Sequence, residues 1–344
     1  MSTAYDPSGR LRILTWHVHG NYLYYLTQTP HDFFLPVGRS SFGYVGRAPG
    51  FPWCDRVHAI HVDDVPGTEF DCVLYQSREH YLRDQYELLT ERQRRLPTIF
   101  LEHDPPQEHP TNTRHVVDDP SRLLVHVTPF NALMWDNNRT PIRVIEHGVV
   151  VPPGLSYRGD LAKGLVIING LKERGRRLGA DIFQEVRKHI PLDLIGMQSE
   201  ELGGLGEISH DDLPGFMLRY RFLFNPIRYT SLGLAVCEAM TLGLPVVGLA
   251  TTEMTTAIEN GVSGYVDTNL DSLIWRMREL LDDPEKCRRL SEGARRAGQT
   301  RFDIARFARD WDRILHEAVG HGQSVSSVTN TGQEQPLTAA RSLP

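Results

Sequence analysis

Phe224-Asn225-Pro226-Ile227-Arg228-Tyr229-Thr230-Ser231-Leu232-Gly233-Leu234-Ala235-Val236-Cys237-Glu238-Ala239-Met240 is the stretch on which the reading of this chain turns. The apolar run Arg221–Phe224 enters it as a strand. A short loop follows, with Thr230 or Ser231 as a natural N-cap, and a helix is predicted from near Leu232. The unpaired N–H groups and positive dipole end of that helix make an anion site around Ser231, Leu232 and Gly233, where glycine lets a phosphate approach the backbone. Glu238 sits about one and a half turns into the helix, among Ala235, Cys237, Ala239 and Met240. A carboxylate among such neighbours is costly without a hydrogen-bonding partner. A diol such as ribose would supply two donors; nearby backbone or an Arg is the competing partner.

Working outward, Gly243 ends this helix and Leu244–Leu249 reads as the next strand. Upstream, Leu165–Ile168 and Leu192–Ile195 are strands flanking a helix over Gly179–His189. Helices are predicted over Asp271–Leu281, Pro284–Arg296 and Asp303–Ala318, the last with Ile304, Phe307, Ala308, Trp311 and Leu315 on one face. In the first half, Leu11–Trp16 is a strand running into the loop His17-Val18-His19-Gly20-Asn21. Apolar runs recur at His58–Val62, Cys72–Tyr75, Thr98–Leu101, Leu123–Val127 and Arg143–Ile145, with helical stretches at Arg78–Glu91 and Pro129–Asp136. Strands alternating with helices mean βαβ units and parallel sheets. The chain therefore reads as α/β, two Rossmann-like doubly wound domains facing across a cleft. They span residues 1–152 and 153–302, followed by a helix over 303–320 and, from its Gly/Ser/Thr/Gln-rich composition, a disordered tail over 321–344.

Composition narrows the function. Of 344 residues, 40% are apolar and 23% charged, which excludes fibrous and disordered classes. No run approaches the roughly 20 apolar residues of a membrane span, and Met1–Arg10 lacks the apolar core of a signal peptide. The formal charge is −6, and the first 150 residues hold 14 Arg, no Lys and 18 acidic groups, so nucleic acid is an unsuitable partner. Glu91-Arg92-Gln93-Arg94-Arg95 is too short for more than weak peripheral membrane contact. Cys54, Cys72, Cys237 and Cys287 form no CxxC pair, which fits a reducing cytoplasm rather than a zinc site or a disulfide framework.

The quoted stretch and its continuation resemble the retaining nucleotide-sugar glycosyltransferases with the E-x7-E motif, of the GT-B fold and similar to glycosyltransferase family 4. Pro226, Leu232-Gly233-Leu234, Glu238-Ala239-Met240, Gly243 and Pro245-Val246-Val247 stand in the family's register. So do Thr252-Glu253, Ile258-Glu259-Asn260-Gly261 and Gly264-Tyr265-Val266, while Val144-Ile145-Glu146-His147-Gly148-Val149 resembles the segment that closes the family's N-terminal domain. The likeness is strong over about 140–320 and weak before it.

The resemblance implies an acceptor-side first domain, a nucleotide-sugar-binding second domain, and a last helix crossing back to the first. It implies transfer of a sugar from a nucleoside diphosphate donor to an acceptor hydroxyl with an α outcome. The departing phosphate takes the acceptor's proton, and no cofactor or bound metal is needed. Glu238 would bind the ribose, and Ser231, Leu232 and Gly233 the diphosphate. Thr230 stands where the family's first Glu contacts the donor sugar; it carries no charge, and a plain N-cap is its competing role. The family's phosphate-binding Arg and Lys are replaced by Leu171 and Leu178, but Lys172, Arg174, Arg176 and Arg177 lie in the same loop. Arg177 is the first choice for the leaving-group cation, Arg176 and Lys172 follow, and Arg174 is placed on the solvent side. Gly20 matches a family glycine near the donor phosphates, and His103 a histidine beside the donor sugar. His17 and His19, alternating on a strand end, are expected on one face at the acceptor side. The acceptor stays unidentified: glycan, lipid, protein or small molecule. The rival reading is a catalytically silent GT-B homologue that binds a sugar nucleotide or a partner enzyme.

Overall fold

The computed structural model describes residues 9–330, with side chains described through residue 320. Its strands are β1 (Arg12–Thr15), β2 (Asp32–Val37), β3 (Val57–His61), β4 (Cys72–Tyr75), β5 (Thr98–Glu102), β6 (Leu123–His126), β7 (Ile142–Val144), β8 (Leu161–Ile167), β9 (Leu192–Ile195), β10 (Tyr220–Asn225), β11 (Val246–Leu249) and β12 (Gly264–Asp267). The first seven form one sheet in the order β3-β2-β1-β4-β5-β6-β7, and the last five a second in the order β12-β11-β10-β8-β9. Every strand pairing in both is parallel. Parallel strands covered on both faces read as unbroken apolar runs, which is why β4 (Cys-Val-Leu-Tyr) and β11 are buried at every position.

Strand β2 is absent from the sequence reading because Pro36 interrupts it. It is tolerated because β1 pairs with β2 only from Asp32 to Phe34, so Pro36 lies beyond β1's ladder and no donor is missed on that side. The expected helix Arg78–Glu91 is also broken. A π-helical turn at His80–Asp84 leads into helix Gln85–Leu88, Leu89 is extended, and a separate helix covers Glu91–Arg94. The cause is a capping box: Thr90 accepts from the Gln93 N–H while the Gln93 side chain accepts from the Thr90 N–H.

The last helix runs from Ile304 to Asn330, so residues 321–330 are helical where a disordered tail was expected; residues 331–344 of that expectation lie outside the described residues. Its apolar stripe packs on the helix Gly20–Leu26 beneath the first sheet. Phe307, Trp311 and Leu315 are fully buried, and the Trp311 indole N–H donates to the Tyr22 hydroxyl at 3.1 Å. The chain passes back at Phe302, whose carbonyl accepts from the Val149 N–H. Gly148 makes this crossing possible: a Cβ there would lie 2.3 Å from that of Phe307. Among the described residues no helix is long and apolar enough to cross a membrane.

Candidate active site

In an open parallel sheet, ligands bind beyond the carboxyl ends of the strands where the strand order reverses. In the second sheet that point lies between β8 and β10, which are hydrogen-bonded neighbours. The two loops singled out by sequence, 168–179 and 226–233, leave from these strands and so emerge side by side. Gly179 locks them together. It has φ +82°, and a Cβ on it would come within 2.1 Å of the Pro226 carbonyl oxygen. The Arg177 carbonyl also accepts from the N–H groups of Arg228 and Tyr229, at 3.0 and 3.3 Å.

The motif helix spans Leu234–Leu242 with Gly233 as its extended cap and no side-chain cap. It starts two residues later than expected, because Thr230 and Ser231 do not cap it. The Thr230 hydroxyl turns instead to the first domain and donates to Asp104 Oδ1 at 3.3 Å. The Leu232 carbonyl is likewise engaged, accepting from His147 Nε2 at 2.9 Å. The N–H groups of Gly233, Leu234 and Ala235 at the helix start take no acceptor among the described residues, and neither do those of Ser231 and Leu232, so the stretch is open to an anion. A Cβ on Gly233 would meet no protein atom.

Glu238 is buried, 7% exposed, and faces the other domain. Its Oε1 accepts from the Tyr25 hydroxyl at 2.7 Å and from the Asn21 amide at 3.4 Å. Burial raises its pKa above the usual value, and these two donors only partly offset that. Oε2 takes no hydrogen bond from the described residues. The carboxylate is thus half satisfied, with one oxygen left for a further donor.

The basic loop sorts its cations. Leu171 and Leu178 are core residues, 0% and 1% exposed, so no cation could stand there without breaking the packing. Arg176 pairs with Asp181 at 2.6 Å, and Asp181 is also gripped by both terminal nitrogens of Arg228. Lys172 pairs with Glu201. Both are drawn to acidic partners within the second domain. Arg177 reaches across the cleft and donates to Gln107 of the first domain. Arg174 makes no ion pair among the described residues. Its pKa is lowered by burial and then by the neighbouring charge of Arg177, while Asp104 of the first domain opposes the shift. The same charge acts on His19. Arg174 is exposed, in line with its expected solvent-side placement, and its charge still acts on Asp104 and His19 of the first domain.

The first domain meets these groups with the loops after β1 and β5. His103 Nε2 lies 3.0 Å from Gln76 Oε1. The Gln76 amide is oriented by donating to Thr15 Oγ1 and the Trp16 carbonyl, so its Oε1 is an acceptor and His103 carries its proton on Nε2. Burial, then the charges of His19 and His147, hold His103 well below its ordinary pKa, so it is neutral, with Nδ1 as an acceptor. His19 packs on His103 at 4.2 Å between ring centroids. His17 does not share its surroundings: it bonds the Gly46 carbonyl at 2.8 Å and stands edge-on to Trp53. β1 ends at Thr15, so strand alternation does not reach these two histidines. Gly20 opens the first helix where a Cβ would touch the Phe51 ring at 3.0 Å.

Sequence reasoning missed Asn21, Tyr25, Gln76, Asp104 and Gln107. Asn21 and Asp104 each directly follow a residue that was singled out; nothing in the sequence marked the others. The cluster His31, Asp312 and His316 has metal-ligand composition. However, the Leu11 N–H donates to His31 Nδ1, which leaves the ring proton on Nε2 toward Asp312, and a protonated nitrogen is no ligand.

Two all-parallel sheets, with phosphate-type loops at the switch point of one and convergent loops from the other, define a two-domain fold of the GT-B type. Residues 198–297 match the family of glycosyl transferases group 1. The fold is similar to that of a sucrose-phosphate synthase from Thermosynechococcus elongatus, with a TM-score of 0.61, 14% identity, and coverage of 94% of this chain and 100% of that one. It is also similar to Anabaena HepE, solved in complex with UDP, with a TM-score of 0.63, 14% identity, and 90% and 100% coverage. At these identities the likeness carries the fold. An alpha-D-kanosaminyltransferase of Streptomyces kanamyceticus is 31% identical over 91 residues, which cover 26% of this chain and only 24% of that relative.

Proposed function

We propose that the protein is a retaining glycosyltransferase that moves a sugar from a nucleoside diphosphate sugar to an acceptor hydroxyl. The observation that carries this is the row of N–H groups at Gly233, Leu234 and Ala235, without protein acceptors, beside the half-satisfied Glu238. They match a diphosphate next to a ribose: the N–H groups take the phosphate oxygens, and Glu238 Oε2 takes a ribose hydroxyl. Arg177 and Arg174 add positive charge from the neighbouring loop. Charge builds on the leaving diphosphate in the transition state, and preorganised donors there lower the barrier. His103 Nδ1 and Thr230 face the donor sugar, and His19 lines the acceptor side. The departing phosphate oxygen collects the acceptor's proton, so the sugar leaves and is received on one face. UDP, the nucleotide in the HepE structure, is the first to try.

Hydrolysis of a panel of UDP-, GDP- and ADP-sugars without acceptor tests the reading. Slow release of one nucleoside diphosphate, accelerated by the right acceptor, is expected. Nucleotide binding without any hydrolysis of a bound donor would favour the silent homologue, which the uncharged Thr230 and the displaced clamp also fit.

A further inference from the structure

Residue 230 is where the chain departs from the family it resembles, and it is also where the two domains exchange a hydrogen bond. We propose that Asp104 is the donor-sugar carboxylate of this protein, supplied from the first domain in place of the charge that residue 230 lacks. The inference rests on the glycosyltransferase reading above.

Asp104 is held firmly. Its backbone N–H donates to Glu102 Oε1 at 3.0 Å, and its carbonyl accepts from the Trp135 indole at 2.8 Å. Among the described residues its side chain is not consumed: Oδ1 accepts from Thr230, Oδ2 takes no hydrogen bond, and no cation stands within ion-pair distance. Around it lie His103 with its Nδ1 acceptor, His19, and the charge of Arg174. Two acceptors with vacant lone pairs, tied through Thr230 to the loop that leads into the motif helix, call for a ligand that brings hydroxyl donors beside an anion. A sugar attached to a diphosphate has that pattern. The arrangement also accounts for threonine at 230. A glutamate there would set a second carboxylate against Asp104, and close like charges cannot both ionise without cost. The hydroxyl of threonine instead donates to Asp104 and steadies it.

The test uses the full chain. UDP-glucose, UDP-N-acetylglucosamine, GDP-mannose and ADP-glucose are screened by calorimetry and hydrolysis, and the donor that the wild type prefers is carried forward. Asp104→Asn keeps the shape and removes the charge. It should leave the Kd of the free nucleoside diphosphate within about twofold while donor kcat/KM, and the extra affinity of donor over free nucleotide, fall about 10- to 100-fold. Thr230→Glu should also impair the wild type, and adding Asp104→Asn to it should recover donor kcat/KM above either single variant. The inference is overturned if Asp104→Asn handles the donor like the wild type, or if it loses free-nucleotide affinity in parallel. If the wild type binds no nucleoside diphosphate at all, the glycosyltransferase reading fails and takes this inference with it.

Discussion

Glu238→Ala removes a side chain that faces two ways, and the two losses can be measured apart. Toward the protein, Oε1 holds the Tyr25 hydroxyl at 2.7 Å and the Asn21 amide at 3.4 Å. Stripping this acceptor from buried donors costs about 1–3 kcal/mol of stability. Toward the ligand, Oε2 is the proposed ribose acceptor, and its loss costs a further 1–3 kcal/mol of binding, roughly 5- to 150-fold in Kd. Glu238→Gln separates the two. Burial raises the Glu238 pKa, so this carboxyl stabilises the fold fully below its unfolded pKa, and that contribution is lost as pH rises through the raised folded value. The amide keeps an acceptor for Tyr25 without a buried charge, so at pH 7 Glu238→Gln should be about as stable as the wild type yet bind nucleotide more weakly. Tyr25→Phe should do the reverse, losing stability with little change in nucleotide affinity. Urea unfolding and calorimetry with UDP, GDP and ADP read both quantities. A folded Glu238→Ala protein with unchanged nucleotide Kd would refute the ribose role.

Arg177→Ala and Arg174→Ala should each cut donor turnover, by an order of magnitude or more, beyond any effect on free nucleoside binding; a wild-type rate in Arg174→Ala would show that its charge does nothing for the leaving group. Trp311→Ala should cost about 3–5 kcal/mol, because it empties a fully buried site and removes the donor to Tyr22, and a loss below 1 kcal/mol by urea unfolding would contradict the packing. Burial depresses His126 and His147 to about 4, so the stability they contribute is complete above an unfolded pKa of about 6.5 and is lost as pH falls through about 4. Each can account for on the order of 3 kcal/mol, so unfolding should take up protons and ease steadily from pH 7 to pH 4.5; equal stability at the two ends would show that these histidines are not held neutral.

Much of the fold is legible because parallel strands buried on both faces announce themselves as short apolar runs, and Cys72–Tyr75 and Leu192–Ile195 fall where the runs do. The failures are local contests. Pro36 hides β2, although tertiary position makes the proline harmless, and the capping box at Thr90 splits a helix whose composition looks continuous. In the site, the second-domain half is legible because a strand, a glycine loop and a helix carry it within seventeen consecutive residues, Phe224–Met240. The other half is not, because Asn21, Tyr25 and Asp104 act through contacts more than a hundred residues away in sequence. Thr230 illustrates the limit. Its hydroxyl is a sound local cap by sequence, but the carboxylate across the cleft wins it.

A nucleoside diphosphate at the start of the motif helix, with its ribose on Glu238, is the feature on which the proposed function stands or falls. A crystal structure with UDP, GDP or ADP bound tests it most directly. Phosphate oxygens should lie within hydrogen-bond distance of the Gly233, Leu234 and Ala235 N–H groups, with a ribose hydroxyl on the Glu238 carboxylate. A nucleotide seated elsewhere, with those N–H groups facing only water, would contradict it.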